Sequence, residues 1–333
     1  MELRKTLPAF IIAVSACLGQ VSAQTVKLPE PDRDGWIRLF RGNNQGDFYI
    51  ANNDSSAPAR VKLNFPNGTY TAKGDTIQVT GNPSGQIYFN KSFSHYRVSY
   101  QMHFPGNTGN CGMLLHVQEN DPTTNKFPRS VESQGDPNQG MGQLWPIGDV
   151  WVTIHARTID NRITYDPTAP EITYGAKDWG SRVVTGKDGW AKPVYSVLAS
   201  GTGWVTQEAE VHGSDSIAHY VNDTLRIKYR QPRVSSGGTA NNVTKYLKDG
   251  LIGWQAEGTN VWYREIKIRL LPGDPLYTPT YANYNARNTI RKPLNRKVLI
   301  YKDGTLGIRE AGHEDSRFIN ANGQERGSLI SRP

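Results

Sequence analysis

Apolar and polar residues alternate with a period of two along much of the chain. Tyr96, Val98, Tyr100 and Met102 are interleaved with Arg97, Ser99, Gln101 and His103. Met113, Leu115 and Val117 fall on one side of such a segment, and Leu114, His116 and Gln118 on the other. Trp262, Arg264, Ile266 and Ile268 alternate in part against Val261, Tyr263, Glu265 and Lys267. A period of two is the side-chain repeat of a strand with one buried face. Its recurrence between turn signals predicts antiparallel strands, and hence an all-β sandwich or barrel.

Composition agrees with that prediction. Gly and Pro total 53 of 333 residues, with 8 Trp and 16 Tyr, a mix that disfavours a helical bundle. Residues 34–272 carry the strand pattern and read as one large domain, interrupted by a less regular stretch near 160–200. Residues 273–296 read as a linker, and 297–333 as a small tail whose Asp303-Gly304 marks a hairpin. The net charge of +8 suggests nucleic acid until its position is considered. Ten basic and five acidic side chains lie in 287–333, and the first five residues contribute +1, which leaves +2 on the large domain. A nucleic-acid partner is therefore not expected.

The N-terminus carries an address. Arg4 and Lys5 precede an apolar stretch from Leu7 to Val14, and Val21-Ser22-Ala23 offers small residues to a signal peptidase. A signal peptide over 1–23 predicts a secreted, periplasmic or cell-surface protein. Val14-Ser15-Ala16-Cys17 offers a competing reading, a lipobox with a lipid anchor on Cys17. After residue 23 no apolar run approaches the roughly 18 residues that span a bilayer. In either case Cys111 is the remaining thiol and reads as a small buried filler.

Candidate chemistry concentrates in 107–148. On a strand, Glu132 and Gln134 share one face and Val131 and Ser133 the other. If Val131 faces the core, the carboxylate and the carboxamide are displayed on the opposite face. By the same parity His116 pairs with Gln118, and Gln143 with Trp145. Carboxylates and carboxamides hydrogen-bond sugar hydroxyls, and an indole accepts the C–H face of a sugar ring. A solvated sheet face gives the same pattern. The His residues show no zinc-ligand spacing. Calcium needs only oxygens, and Asp121, Asp136 and Asp149 supply them on loops without a diagnostic spacing.

Asp34-Gly35-Trp36, followed by Leu39-Phe40 and Gly42, resembles the opening motif of the 3-keto-disaccharide hydrolase domain family. Asn107-Thr108-Gly109 or Asn110-Cys111-Gly112, then Glu132-Ser133-Gln134, then Gly203-Trp204 through Gly213 to His219 and Asn222, follow in the family's order. Gln255, Gly258, Arg264 and Ile266 are similar to its closing motif. Trp254, Glu257 and Glu265 depart from the family's usual Leu, His and Asn, and Val205 stands where its Asn follows Trp.

This resemblance implies a concanavalin A-like jelly roll, related in architecture to family 16 glycoside hydrolases, and a secreted hydrolase acting on 3-keto glycosides. The alternate acids of family 16 are missing, and Gln134 rather than a second acid follows Glu132, which disfavours ordinary retaining hydrolysis. A C3 carbonyl acidifies the C2 proton, so one base and one acid suffice. Glu132 is the expected base and His116 the acid or its partner, with Gln134, Gln118, Gln143, Trp145, Gln255, Glu257 and Arg264 as substrate contacts. The alternative is a lectin-like carbohydrate-binding module.

Overall fold

The computed structural model describes residues 26–52, 62–63, 69–106, 109–118, 127–137, 140–175, 183–185, 203–236 and 239–278, together with four strands between 296 and 329. Residues 1–25 with Cys17, residues 119–126 with Asp121, and residues 186–202 lie outside the described residues. Among the described residues no helix is long and apolar enough to cross a membrane.

Two sheets pack face to face. The smaller has seven strands, and its central order is Gly140–Ile147, Ser130–Asp136, Met113–Val117, Gly250–Ala256, Gly85–Phe93 and Phe48–Asn52. The larger sets His95–His103 between Val205–His212 and Val261–Leu270. Strands far apart in sequence thus lie side by side, and the pairing is antiparallel except for a two-residue parallel contact at an edge. The alternation predicts a sandwich or barrel and the family resemblance implies a jelly roll; the fold is a jelly-roll β-sandwich. In the tail, Arg296–Ile300 pairs antiparallel with Leu306–Glu310, the first of three such pairings in a separate four-stranded sheet.

Alternation places Tyr96, Val98, Tyr100 and Met102 in the core, against Met113, Leu115, Val131, Ile252 and Trp254 of the other sheet. The Tyr100 and Trp254 rings meet edge-on at 6.1 Å. One polar side chain also spans the core. The Gln207 Oε1 accepts from the Tyr100 hydroxyl at 3.1 Å and the Ser133 hydroxyl at 3.3 Å. Its Nε2 donates to the Gln134 carbonyl at 3.1 Å. Because all four groups are buried, the carboxamide replaces hydrogen bonds that water would otherwise supply.

Strict period two fails at several bulges, and two of them change which side chains face the core beside sequence-predicted site residues. His116 has a φ of +51°, so Val117 does not join Met113 and Leu115. It packs instead with Leu114 on the opposite face. Gly250 lies against this bulge, where a Cβ would come within 2.5 Å of the His116 carbonyl carbon. In the 261–270 strand, Val261 and Tyr263 face the core, Glu265 takes a φ of +52°, and Ile266 and Ile268 then face it. The register shift there explains why apolar positions change parity between 263 and 266. Past this strand Asp274 is buried, and its carboxylate accepts the Ser94 N–H at 2.8 Å, so the chain beyond 272 begins docked on the sandwich.

Replacing Gln207 by Leu should leave two hydroxyls and a carbonyl unpaired in the core. The expected loss is at least about 2 kcal/mol in a denaturant titration; an unchanged midpoint would show that the polar link contributes nothing.

Candidate functional site

Glu132 lies on the face of the smaller sheet that points away from the sandwich core. Val131 packs in the core and Ser133 bonds Gln207 there, so Glu132 and Gln134 project oppositely. The next strands obey the same rule. Ile252, Trp254 and Ala256 are core, which turns Gln255 outward, and Ile87 and Phe89 are core, which turns Gln86 and Tyr88 outward. Register then aligns Trp145, Glu132, Leu114, Gly253 and Tyr88 in one row across five strands. Gln255 pairs with Gln86 one step along.

The absence of a side chain at Gly112 makes room for the Glu132 carboxyl. A Cβ on Gly112 would lie 2.1 Å from Glu132 Oε1 and 2.7 Å from its Cγ. The Gly112 N–H donates to Gln255 Oε1, while the Gln255 N–H returns a 3.1 Å bond to the Gly112 carbonyl. The other end of the carboxamide, Nε2, is 3.5 Å from Glu257 Oε1. Glu257 therefore shares a site with Glu132, although 125 positions separate them in sequence. A second acid does stand beside Glu132, supplied by a different strand end rather than by the alternate position on its own strand.

Solvent reaches the two acids unequally. Glu132 is 5% exposed and its Oε1 makes no hydrogen bond, whereas Glu257 is half-buried. Burial holds the Glu132 carboxyl well above the ordinary carboxylate range, the Glu257 charge raises it further, and the Gln255 amide opposes both. Burial alone lifts Glu257 to about 7. At neutral pH the pair thus holds more protons than two ordinary glutamates would. Cys111 is fully buried beside them, and burial first, then the Glu257 charge, pushes its thiol upward. It is a packed filler, not a nucleophile.

The remaining sequence-predicted residues divide. Gln134 and Gln143 are buried on the 130–136 and 140–147 strands, and Gln134 Oε1 accepts the N–H of Gly135 at 2.9 Å. Trp145 is partly exposed opposite Glu132, at the margin of an apolar patch formed by Tyr88, Leu114, Val117, Phe127 and Ile147. His116 is not with them. Its left-handed φ turns it to the Val205–Val221 hairpin, where Nε2 contacts the Gly213 carbonyl at 2.9 Å. Burial lowers its pKa to about 4, which leaves the ring neutral and unsuited to acid catalysis at neutral pH.

Gln118 is also elsewhere, tied to the His116 and Asp249 carbonyls and to Lys245. Arg264 belongs to the other sheet. Tyr263 and Ile266 beside it face the core, while its guanidinium lies 3.9 Å over the Trp204 ring and donates to Gln101 at 2.8 Å. The bulge sets that parity, so Arg264 is a stacking residue of the outer face. Asp136 is buried and Asp149 sits 3.6 Å from Arg129; among the described residues no three His, Cys, Asp or Glu side chains converge. Sequence reading missed Gln86 and Tyr88, whose hydroxyl donates to Gln86 Oε1 at 3.0 Å. Their alternation with Ile87 and Phe89 carries the same parity signal that exposed Glu132.

The sequence profile of the 3-keto-alpha-glucoside-1,2-lyase-like domain matches residues 35–269. No protein among those of curated function matches the chain. Two solved structures named "putative glycosyl hydrolase" from Parabacteroides distasonis are 15% and 13% identical, with TM-scores of 0.42 and 0.39. They cover 72% and 71% of this chain, and 94% and 99% of their own. The carbohydrate binding module CBM66 from Bacillus subtilis is 11% identical over 61% of this chain and 92% of its own, with a TM-score of 0.33. At these values the solved structures add no argument beyond the domain match.

The acid pair should be visible in stability. An unfolded glutamate ionises near 4.5 and Glu257 in the fold near 7, so folding holds its proton between those values. That contribution is complete below 4.5 and is lost as pH rises to about 7. Glu257→Gln should flatten the decline across this window in melts at several pH values. An unchanged slope would place the titration elsewhere.

Proposed function

Because the chain belongs to the 3-keto-alpha-glucoside-1,2-lyase-like domain family, we propose that it cleaves the glycosidic bond of 3-keto glycosides with the Glu132–Glu257 pair as acid and base. The observation that carries this reading is the pair itself: two carboxyls on one face, both pushed upward, one ionising near neutrality. Such a pair holds an acid and a base together at the same pH.

The half-buried Glu257 ionises first and is the base. Its carboxylate takes the C2 proton, which the adjacent C3 carbonyl acidifies, and the C–H electrons form an enolate. Collapse of the enolate makes the C1–C2 double bond and breaks the bond from C1 to the leaving oxygen. Glu132, deeper and protonated, gives its proton to that oxygen. The product is an unsaturated 3-keto sugar, and water adding across its double bond yields the free 3-keto sugar. The proton that Glu257 gains replaces the one that Glu132 gives up, exchange with water returns the pair to its starting state, and no oxidant or reductant is consumed. The roles reverse the expectation that Glu132 is the base, because depth in the sheet face favours its neutral form. Gln86, Gln134 and Gln143 offer amides for sugar hydroxyls, and Trp145 a flat apolar face. The same groups would serve a carbohydrate-binding module without catalysis. The export pattern of residues 1–23 supports action outside the cytoplasm.

Turnover of an aryl 3-keto-glucoside should fall by about 10²–10⁴-fold in Glu132→Gln and in Glu257→Gln, with the substrate still bound. In the parent, activity should climb as pH rises through about 7, where Glu257 ionises. If both variants turn over like the parent, the acid–base proposal fails. Binding without turnover in the parent would favour the binding-module reading.

A further inference from the structure

Depth orders the two carboxyls, and a third group that reaches both of them adjusts when the pair first ionises. We infer that Gln255 is a positioning residue whose carboxamide, oriented by the Gly112 N–H, presents its amide hydrogens to both carboxyls and stabilises the charge that the pair carries. This inference rests on the acid–base reading for its consequence in catalysis, but its geometry stands without it.

The carboxamide has one orientation here. The Gly112 N–H must have an acceptor, and Gln255 Oε1 supplies it, so the opposite end of the group is necessarily the NH2. That end lies 3.5 Å from Glu257 Oε1, and its hydrogen bond to the Glu132 carboxyl works against the upward push of burial there. A charged acceptor strengthens such a bond, so the amide favours the carboxylate form of its neighbour. Gly112 serves both halves of the arrangement, since its N–H orients Gln255 and its bare Cα admits the Glu132 carboxyl. The backbone also fixes the carboxamide's base, because the Gln255 N–H bonds the Gly112 carbonyl at 3.1 Å.

The other titratable groups that act on the pair are phenols and a thiol. Tyr100 and Cys111 interact with Glu132, and Tyr70 and Cys111 with Glu257; Tyr263 adjoins Cys111. All are buried and held protonated well above neutrality. Among the described residues no cation takes part, so the amide is the group that favours ionisation. Removing it should therefore raise the pH at which the pair first ionises.

The test is the titration of 13C-labelled glutamate carboxyls by NMR in the parent, Gln255→Met and Gln255→Leu, with Glu257→Gln to assign the Glu257 signal. Both replacements remove the amide without adding charge, and Gln255→Leu keeps the test open if Gln255→Met does not fold. We expect the Glu257 midpoint to rise by about one unit in either variant, and the acid limb of activity to move with it, with little change in KM. A Glu257 midpoint that stays put in folded variants overturns the inference, whatever the activity does. A midpoint that rises while the acid limb stays fixed keeps Gln255 as the positioning group and removes Glu257 from catalysis.

Discussion

Placing an ionisable carboxyl inside a sheet face, with no cation among the described residues to meet it, is the constraint on which the site depends. Glu132 is 5% exposed, and its Oε1 finds no hydrogen-bond donor. An ionised carboxylate in that position would be strongly penalised, so the group keeps its proton and becomes an acid. Glu257, nearer to solvent, loses its proton more readily. The difference between the two residues is one of depth, and depth is set by which strand each belongs to and where that strand ends.

The fold supplies that difference through small residues and one polar tie. Gly112 leaves the space that the Glu132 side chain fills, and Gly253 in the same row leaves the space that the Tyr88 ring approaches. Beneath them Gln207 joins the two sheets directly behind Ser133 and Gln134. A strand tied at its back in this way cannot slide by one position, and a one-residue slip would turn Glu132 into the core. The polar link is thus a register device for the functional face as well as a contribution to stability.

Much of this arrangement is legible in the sequence. Period-two alternation predicted the strands at 96–104, 113–118 and 130–134, the face of Glu132, and the sandwich class. It misled wherever the backbone left the pleat. His116 has the parity of a site residue, but its left-handed φ sends it to the Gly213 carbonyl. Arg264 precedes the bulge at Glu265 and faces outward from the other sheet. A bulge conceals itself in a local pattern because one added residue restores the alternation on the other side of it. The change of parity between Tyr263 and Ile266 was a visible trace of one. The partnership of Glu132 with Glu257 had no local trace, since pairing of the Met113–Val117 strand with both neighbours creates it.

If a carboxylate of this pair removes the hydrogen at C2 of a 3-keto glycoside, that hydrogen is exchanged for one from water before the sugar is released. Running the reaction in D2O and reading C2 by 1H NMR, against a control without protein, tests it directly. The account predicts that every released 3-keto sugar carries solvent deuterium at C2. Cleavage that leaves the original C2 hydrogen in place would contradict it.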